Sequence, residues 1–505
     1  MPAPRSNNRR SLSASLVSLT LDRADPGSLQ DQLYDQLREL ILSGRLAVGA
    51  RLPSTRALAR ELACSRNTTV NAYDRLFAEG YLESQAGSGT YVSGVLPEDL
   101  LRTSNQDSSM NPESTPRPDR PMGLSSRGES FVSLRQGGPP DLAAFTLGVP
   151  EIGSFPFELW ARLLTRTWRR PTSELWRPGD AAGHGPLREA IAQYVRAARA
   201  VECDWRQVII TSGAQLGLSL AAQCLLDPGD KVWVENPGYA GLHGPLLAAG
   251  LVPVPVPVDD QGLSLEDGLA RAPDAKMAVV TPSHHYPLGT VMSLPRRLAL
   301  LDWARDRSAW ILEDDYDSEY RYAGRPLSAL QGLDRAGRVI YIGSFSKVLF
   351  PALRLGYVVA PLEISEFLVQ ARAALEDHPS TVAQPALAAF FAEGHFAAHI
   401  RRMRRLYASR QACLVRAAEA HLSDLLVLKP DEAGLHLLAR LSAPLALRMD
   451  DQTASAKARR AGIVAPALSR FYSGATGGQG LLLGYAGVSE TEIPEKVRIL
   501  AEALG

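Results

Sequence analysis

The sequence predicts a multidomain protein, with a small N-terminal domain of helices and a β-hairpin and a larger C-terminal α/β domain built on a mainly parallel sheet. At 505 residues the chain is longer than one hydrophobic core usually organises. Near the N-terminus apolar residues recur at helical spacing, whereas beyond a polar stretch β-branched runs alternate with helical segments. That alternation is typical of a parallel sheet covered by helices.

Composition and charge limit the class of function. The net charge is zero, which argues against a wholly basic nucleic-acid binder, yet residues 44–75 hold six arginines against Glu61 and Asp74, a local charge of +4. No run approaches the roughly 20 apolar residues of a membrane span, and the N-terminus lacks the apolar core of a secretory signal. The four cysteines lack metal-ligand spacing. We therefore expect a cytoplasmic protein with reduced thiols, no metal site and a flexible arm over residues 1–26.

Three helices and a hairpin are predicted within residues 27–93. Helical spacing over residues 29–42 stops before Gly44, a second helix follows a cap at Ser54, and Ser65 caps a third helix. Residues 81–84 and 89–92 alternate like two strands around a turn. The residues expected on the buried face of the third helix are Val70, Tyr73, Leu76 and Phe77. These elements describe a winged helix-turn-helix, whose recognition helix enters the major groove of DNA.

Polar residues at the start of the third helix can reach base edges, because arginine pairs with guanine and asparagine with adenine. Residues before the second helix lie where DNA phosphates would pass. The predicted DNA-binding residues are Arg51, Ser54, Thr55, Arg56, Arg66, Asn67, Thr68, Thr69 and Gly87. The stretch LPSTRALARELACSRNTTVNAYDRLFAEGYLESQAGSGTYV resembles the DNA-binding domain of the GntR family of bacterial repressors, with Gln85 where relatives often carry a basic wing residue.

A polar stretch separates this domain from the rest of the chain. Residues 94–140 are rich in Ser, Pro, Asp, Asn, Gly and Arg. Such a composition cannot bury enough apolar surface to offset the entropy lost on ordering, so we expect a flexible linker. The C-terminal domain then spans residues 141–505.

Each predicted strand of the C-terminal domain ends in polar residues. The strands are VIITS, KVWVE, LVPVPV, MAVVTP, AWILED and VIYIG. Carboxyl ends of strands are where α/β folds bind their ligands. The first strand leads into a helix start whose backbone amides can form an anion site. That turn comprises Ser212, Gly213, Ala214 and Gln215.

The last of these strands, 339–342, carries the most informative turn. Ser344 and Ser346 lie in a polar turn that leads to a single lysine, Lys347, and Arg354 follows seven residues later. Pro351 between the two cations argues against a simple surface helix. Lysine amines form Schiff bases with carbonyl compounds such as pyridoxal phosphate, and arginine matches phosphate oxygens. The turn therefore suits a phosphorylated ligand that also bonds covalently.

Two further strand ends supply groups for a planar ring. Tyr239, in ENPGY, can stack on such a ring. The consecutive acids of EDDY need a reason to tolerate their repulsion, and a protonated pyridine nitrogen supplies one. A carboxylate that holds this proton strengthens the ring as an electron sink. We assign this role to Asp314 and expect Tyr316 to bond the phenolic oxygen of the ring.

Together these parts resemble the fold type I aminotransferases over about residues 142–505. The order also fits, from GHGPLREAIAQY through the phosphate turn, Tyr239 and TPSHHYPLG to the acid, the lysine and Arg354. The resemblance implies an aminotransferase-like domain that binds pyridoxal 5'-phosphate (PLP) through a Schiff base on Lys347. It also implies that the phosphate is surrounded by Ser212, Gly213, Ala214, Gln215, Ser344, Ser346 and Arg354.

The central motif departs from the usual pattern. Tyr286 stands where many aminotransferases carry an asparagine that bonds the ring oxygen. We interpret the neighbouring His284 and His285 as pocket wall rather than metal ligands. The substitution also points to a particular group, because a GntR-type domain joined by a long linker to an aminotransferase-like domain is the architecture of the MocR family of transcriptional regulators. TPSHHYPLG, EDDYDSEYRY and GSFSKVLFPALRLGY resemble the motifs of that family.

The resemblance implies a PLP-dependent regulator that binds operator DNA as a homodimer and senses a small amine, an amino acid or PLP itself. An alternative is a PLP-dependent aminotransferase that is also tethered to DNA, and the arginine for a substrate carboxylate would discriminate the two. The candidate is Arg470, in ALSRFYSG. A third interpretation, a DNA-binding scaffold with an inactive domain, is disfavoured because Lys347, Asp314 and Arg354 are intact.

Overall fold

The computed structural model of the chain describes residues 19–23, 27–85, 89–94, 123–134, 143–169, 171, 177–324, 327–474 and 477–505. The chain divides into two compact units, Met1–Asp119 and Arg120–Gly505. Most of the predicted arm, most of the predicted linker and the predicted DNA contact Gly87 lie outside the described residues. None of the described helices is long and apolar enough to cross a membrane.

The N-terminal unit contains the three predicted helices and the hairpin. They are α1 (Leu29–Leu42), α2 (Thr55–Glu61), α3 (Arg66–Ala78), β1 (Leu82–Gln85) and β2 (Gly89–Val92), the two strands being antiparallel. Each helix begins after a serine whose hydroxyl accepts a backbone N–H, and the predicted caps Ser54 and Ser65 are confirmed. Leucine and tyrosine side chains of the helices pack with Val92 of the wing into one core.

The buried face of α3 differs from the predicted face by about one position. Thr69 is fully buried, whereas Val70 and Phe77 are partly exposed. The Thr69 hydroxyl lies 3.6 Å from the Cys64 Sγ, in the turn between α2 and α3. The prediction that Thr69 contacts DNA is therefore wrong. Its neighbours in sequence are exposed, but the helical phase directs this one side chain inward.

A helix that the sequence analysis did not predict, α4 (Ser126–Leu134), lies within the range assigned to the flexible linker. It packs against the helix His243–Ala248, and Arg127 Nη1 donates a hydrogen bond to the carbonyl of Ala248 at 3.4 Å. Residues 126–134 are thus a folded part of the C-terminal unit. The composition concealed the helix because its side chains stay at least partly exposed, and so short a helix depends on its neighbour for stability.

Among the described residues, an eight-stranded sheet forms the centre of the C-terminal unit. Its strands are β3 (Val208–Thr211), β4 (Lys231–Asn236), β5 (Val252–Asp259), β6 (Gly262–Leu263), β7 (Met277–Val280), β8 (Trp310–Asp315), β9 (Val339–Ser344) and β10 (Gly356–Val359). The spatial order is β3-β10-β9-β8-β7-β4-β5-β6. Strand β10 runs antiparallel to both neighbours and β6 runs antiparallel to β5, while the other pairs are parallel. The predicted mainly parallel sheet is confirmed.

Helices cover this sheet and bury both of its faces. They are α5 (Phe157–Arg169), α6 (Gly185–Arg199), α7 (Ala214–Leu225), α8 (His243–Ala248), α9 (Leu265–Arg271), α10 (Leu294–Arg307), α11 (Leu362–Glu376), α12 (Gln384–Ala392) and α13 (His395–His421). In β9, Tyr341 joins one apolar core while Ile340 and Ile342 join another. Successive side chains of a strand point to opposite faces, which is why both faces read as apolar in the sequence.

The end of the chain forms a smaller antiparallel sheet. Its elements are β11 (Leu426–Leu428), β12 (His436–Leu441), α14 (Ala443–Arg448), α15 (Asp451–Arg460), β13 (Gly480–Gly484) and α16 (Ile493–Leu504). Phe145, from the start of the unit, packs in the same core as Leu481 and Val497. This packing brings the residues that follow Phe145 close to the carboxyl edge of the large sheet.

Candidate functional site

A cavity of about 230 Å³ lies at the carboxyl ends of β8 and β9. The predicted residues that line it are Ala214, Gln215, Tyr239, Tyr286, Asp314, Tyr316, Ser344, Ser346, Lys347 and Arg354. Strand ends of a parallel sheet meet at one edge, so residues far apart in the chain converge there. The lining also contains residues that the sequence analysis missed, which are Leu147, Gly148, Thr281, Leu435 and His436.

Lys347 presents its amine inside this cavity. Its Nζ donates to the carbonyl of Gly148 at 2.8 Å. Burial lowers the pKa of Lys347, and the charges of Asp317 and Asp314 oppose that shift without cancelling it. A lowered pKa increases the fraction of neutral amine, which is the nucleophilic form. The lysine can therefore attack a carbonyl group that enters the cavity.

The three consecutive acids at the end of β8, Glu313, Asp314 and Asp315, lie in different environments, and two of them have partners within the protein. Glu313 accepts the backbone N–H groups of Leu330 and Gln331, at 2.8 and 2.9 Å. Asp315 pairs with the buried Arg199, whose Nε lies 2.8 Å from its Oδ2. Strand alternation and these separate partners explain how adjacent carboxylates tolerate one another.

Asp314 is the member of this run that faces the cavity. Its Oδ1 is buried and finds no hydrogen-bond partner within the described part of the chain. Burial, followed by the charges of Asp315 and Asp317, raises the pKa of Asp314 to about 7. A buried oxygen without a donor is costly, so the arrangement suits a ligand that brings a proton to it.

A second part of the cavity can hold an anion. Gly213, at the start of α7, has a φ of +99°, which favours glycine. A Cβ at this position would lie 3.6 Å from the Cζ of Arg354, so the guanidinium lies directly over the turn. Ser344 accepts the backbone N–H of Ser346 at 3.2 Å. The Ser212 hydroxyl points elsewhere in this structure, with its Oγ 3.5 Å from the Glu376 Oε1, and its role toward a phosphate stays a prediction.

Aromatic rings form the walls of the cavity. The Tyr239 hydroxyl accepts a hydrogen bond from Gln215 Nε2 at 3.0 Å, which holds the ring in place. The Tyr286 ring is nearly perpendicular to those of Tyr239 and Tyr316, with centroids 6.0 and 5.8 Å away. Three tyrosine rings in these orientations offer both ring faces and polar hydroxyl groups, which suits a flat, partly polar ligand.

The two histidines expected in the pocket wall lie one layer behind it. His284 Nδ1 lies 2.9 Å from Asp317 Oδ2, and His285 Nε2 lies 3.6 Å from the buried Glu235. The wall histidine is instead His436, from β12. The prediction that His284 and His285 form the wall is therefore corrected. No group of three or more His, Cys, Asp or Glu residues suited to a metal ion is found in the described ranges.

Arg470 lies in the short 3₁₀ turn Leu468–Phe471 and is exposed. Among the residues that the structure describes, it lies outside the lining of the cavity. Its neighbour Phe471 does contact the site, with its ring centroid 5.5 Å from that of Tyr286. The turn therefore borders the cavity, and the role of Arg470 toward a carboxylate stays a prediction.

In the N-terminal unit, the other predicted DNA contacts lie at or near the surface. Arg51, Ser54, Arg56, Arg66 and Asn67 are exposed, and Thr55 and Thr68 are partly exposed. Part of this polar set also stabilises the helix starts, because Ser54 accepts the N–H of Ala57 and Ser65 accepts that of Thr68. The Arg51 side chain packs against β2, where a Cβ on Gly89 would lie 2.9 Å from its Nε. The start of α3 and the residue Arg51 beside the wing strand thus both present polar or basic side chains to solvent.

Comparison with known families defines the class of protein. Residues 29–92 match the family described as "Bacterial regulatory proteins, gntR family", and residues 157–500 match "Aminotransferase class I and II". The chain is thus a GntR-type helix-turn-helix regulator fused to a domain with the aminotransferase fold.

Relatives define the family more closely. The chain is 44% identical, over 96% of its length and 95% of the relative's, to the "Probable rhizopine catabolism regulatory protein MocR" of Rhizobium meliloti. It is 32% identical, over 94% of its length and 95% of the relative's, to the "HTH-type pyridoxine biosynthesis transcriptional regulator PdxR" of Corynebacterium glutamicum. The chain belongs to the MocR family of transcriptional regulators.

The C-terminal unit is also similar to solved aminotransferases. One is LysN, the α-aminoadipate aminotransferase of Thermus thermophilus, with a TM-score of 0.65 and 26% identity over 75% of this chain and 94% of that one. That structure is complexed with N-(5'-phosphopyridoxyl)-L-leucine. The cavity described above fits such a group, because it combines a buried lysine amine, an unpaired aspartate oxygen and an arginine-capped glycine turn. The fold and these residues together imply PLP binding.

Proposed function

We propose that this protein is a PLP-dependent regulator that binds operator DNA as a homodimer and changes transcription when a small amine, an amino acid or PLP itself occupies its cavity. The observation that carries the proposal is the gathering of Lys347, Asp314 and Arg354 around one cavity, in a chain that also carries a winged helix-turn-helix. The three side chains suit a covalently held phosphorylated ring, and the winged helix-turn-helix suits DNA.

The residues of the cavity have separate tasks in this proposal. When bound, PLP supplies an aldehyde that condenses with amines and a ring that withdraws electrons. The buried amine of Lys347 is the group that bonds the aldehyde, and its lowered pKa favours the reactive neutral form. Asp314 would hold the proton of the ring nitrogen, which gives its unpaired Oδ1 a partner. The turn at Gly213 and the guanidinium of Arg354 would bind the phosphate.

The relatives support small-molecule control. One is named for rhizopine catabolism and another for pyridoxine biosynthesis, so members of the family regulate different pathways with one architecture. An amine or amino acid suits the site chemically, because a primary amine can compete with Lys347 for the aldehyde of the cofactor. Such a ligand can act on DNA affinity only through different affinities for two states of the protein.

The test uses the full-length protein loaded with PLP. Amines and amino acids are screened for a change in the absorbance of the bound cofactor, and each positive compound is added to a mobility-shift titration with promoter DNA from the neighbouring genes. We expect at least one compound to change both the absorbance and the DNA affinity. A compound that is consumed steadily when a 2-oxo acid is supplied to accept its amino group, with release of a carbonyl product, would support the aminotransferase alternative. The proposal would be contradicted if the protein lost the absorbance of bound PLP on gel filtration and if no compound changed its affinity for DNA.

A further inference from the structure

Residues 431–436, which we call the 431–436 segment, contribute to one wall of the cavity and are hydrogen-bonded to the chain that follows β7 and β8 of the large sheet. Leu435 and His436 contribute to the lining. The N–H of Gly434 donates to the carbonyl of Tyr320 at 3.0 Å, and His436 Nε2 lies 3.1 Å from the carbonyl of Pro287. The last residue of this segment, His436, is also the first residue of β12, so the cavity wall and the smaller sheet are continuous in the chain.

His284 lies between this segment and the floor of the cavity. Its Nδ1 lies 2.9 Å from Asp317 Oδ2 and 3.0 Å from the Tyr316 hydroxyl. Its Nε2, on the opposite side of the ring, lies 3.4 Å from Asp431 Oδ2. One buried imidazole thus lies between a carboxylate beside the cavity, at hydrogen-bond distance, and a carboxylate of the 431–436 segment, at ion-pair distance but without a hydrogen bond among the described residues.

The charges around His284 make this bridge ionic. Burial alone would lower the pKa of His284, but Asp317 and Asp431 outweigh it and raise the pKa to about 10. The other groups that face the ring are the Tyr316 hydroxyl, His285 and His436, and burial lowers the pKa of both histidines, so they stay neutral. Removal of either carboxylate would leave the buried cation less well compensated, which is costly in a protein interior.

Glycine residues pack closely against both His284 and Asp431. A Cβ on Gly434 would lie 2.2 Å from His284 Cε1, and a Cβ on Gly289 would lie 2.3 Å from Asp431 Oδ2. The imidazole and the Asp431 carboxylate therefore each pack closely against a glycine, and the glycine beside the imidazole belongs to the 431–436 segment. Asp317 is also the carboxylate that most strongly opposes the lowered pKa of Lys347. On its cavity side the imidazole contacts both Asp317 and Tyr316, and Tyr316 belongs to the lining of the cavity.

We propose that His284 is a positioning residue that couples the cavity to the 431–436 segment through Tyr316, Asp317 and Asp431. When a ligand contacts Tyr316 in the cavity, the hydrogen bond between the Tyr316 hydroxyl and His284 changes, and His284 moves toward or away from Asp431. The inference rests on the proposed binding of PLP at Lys347. It adds a route by which occupancy of the cavity reaches the smaller sheet.

The test compares hydrogen–deuterium exchange in the full-length protein with and without PLP, in peptides that cover residues 431–436. In the wild type, we expect PLP to slow the exchange of these peptides roughly tenfold. Asp431→Asn and His284→Gln each remove one charge from the bridge and should reduce that effect to less than about twofold. Glu432→Gln is the matched control, because it removes a carboxylate from the same segment whose ion pair with Arg321 is largely exposed on the glutamate side.

Each outcome decides between the alternatives. Loss of the PLP effect in either loaded variant, with the effect kept in Glu432→Gln, supports the coupling. A wild-type response in Asp431→Asn or in His284→Gln would overturn it, and so would failure of both variants to load PLP while Glu432→Gln loads it. A wild-type protein that does not bind PLP would instead contradict the proposed function itself.

Discussion

The amine of Lys347 lies 2.8 Å from the carbonyl of Gly148, a residue 199 positions earlier in the chain. A Cβ at Gly148 would lie 2.4 Å from the same nitrogen. The residues that precede α5 therefore close over the lysine, and a glycine is required where they do so. Access to the lysine depends on this close approach.

The first prediction concerns the identity of the reactive lysine. Borohydride treatment of the PLP-loaded protein should attach the cofactor irreversibly to Lys347, because its buried amine lies in the cavity. Lys347→Ala should abolish the attachment, whereas Lys231→Ala, which removes a half-exposed lysine paired with Asp274, should leave it unchanged. Peptide mass spectrometry locates the label. Attachment to another lysine would refute the assignment.

The second prediction follows from the contact of Gly148. Both Gly148 and Gly229 have positive φ, but no atom lies within 4 Å of a Cβ at Gly229 among the described neighbours. Gly148→Ala and Gly229→Ala should therefore each lose about 1–2 kcal/mol of unfolding free energy from backbone strain. Only Gly148→Ala should also weaken PLP binding, by roughly tenfold or more, because its methyl group displaces the lysine amine. Equal PLP affinity in the two variants would show that the close approach is irrelevant to binding.

The third prediction concerns pH and Asp314. Its pKa rises from 3.8 to about 7 in the PLP-free protein, so the native state keeps a proton that the unfolded chain loses. This group therefore lowers the free energy of unfolding as pH increases between about 4 and 7. Asp314→Asn should reduce that decline, as measured by the melting temperature across this range. Part of the decline should remain, because Glu235, Glu313 and Glu319 also have raised pKa values. The exposed Asp424→Asn is the control.

The fourth prediction separates base recognition from phosphate binding. Arg66 lies at the exposed start of α3, whereas Arg51 packs beside the wing strand. Arg66→Ala should cost about 1–3 kcal/mol of operator affinity and relax specificity at one position. Arg51→Ala should weaken binding to all DNA sequences to a similar extent and reduce the salt dependence of the DNA affinity. If neither change alters a mobility-shift titration, the placement of the recognition surface is incorrect.

The fifth prediction couples the two units. If sensing requires the lysine, Lys347→Ala should keep its basal operator affinity within a few-fold, because the DNA-binding residues are untouched. It should lose the response to the effector, as measured by reporter output at matched protein levels. A ligand shifts an equilibrium only by its differential affinity for two states, so an unchanged response would mean that sensing bypasses Lys347.

Much of the site could be predicted because it is encoded locally. Lys347, Asp314 and Tyr239 each follow a recognisable strand, and parallel strands bring their carboxyl ends to one edge. The caps Ser54 and Ser65 were predictable for the same reason, since a cap depends on the next three residues alone. Thr69 shows the limit of this approach. Its polarity suggested the surface, but the rotation of α3 against its neighbours buried it.

The sequence by itself determined the two kinds of domain, the strand ends and the chemical groups placed on them, because these depend on periodicity and short-range turns. Only the tertiary structure decided which distant residues complete the site. Gly148 reaches Lys347 because Phe145 packs with the smaller sheet, and His284 meets Asp431 because the chain returns to the large sheet before β12. Such contacts arise from the packing of whole elements, and no local pattern records which elements will meet.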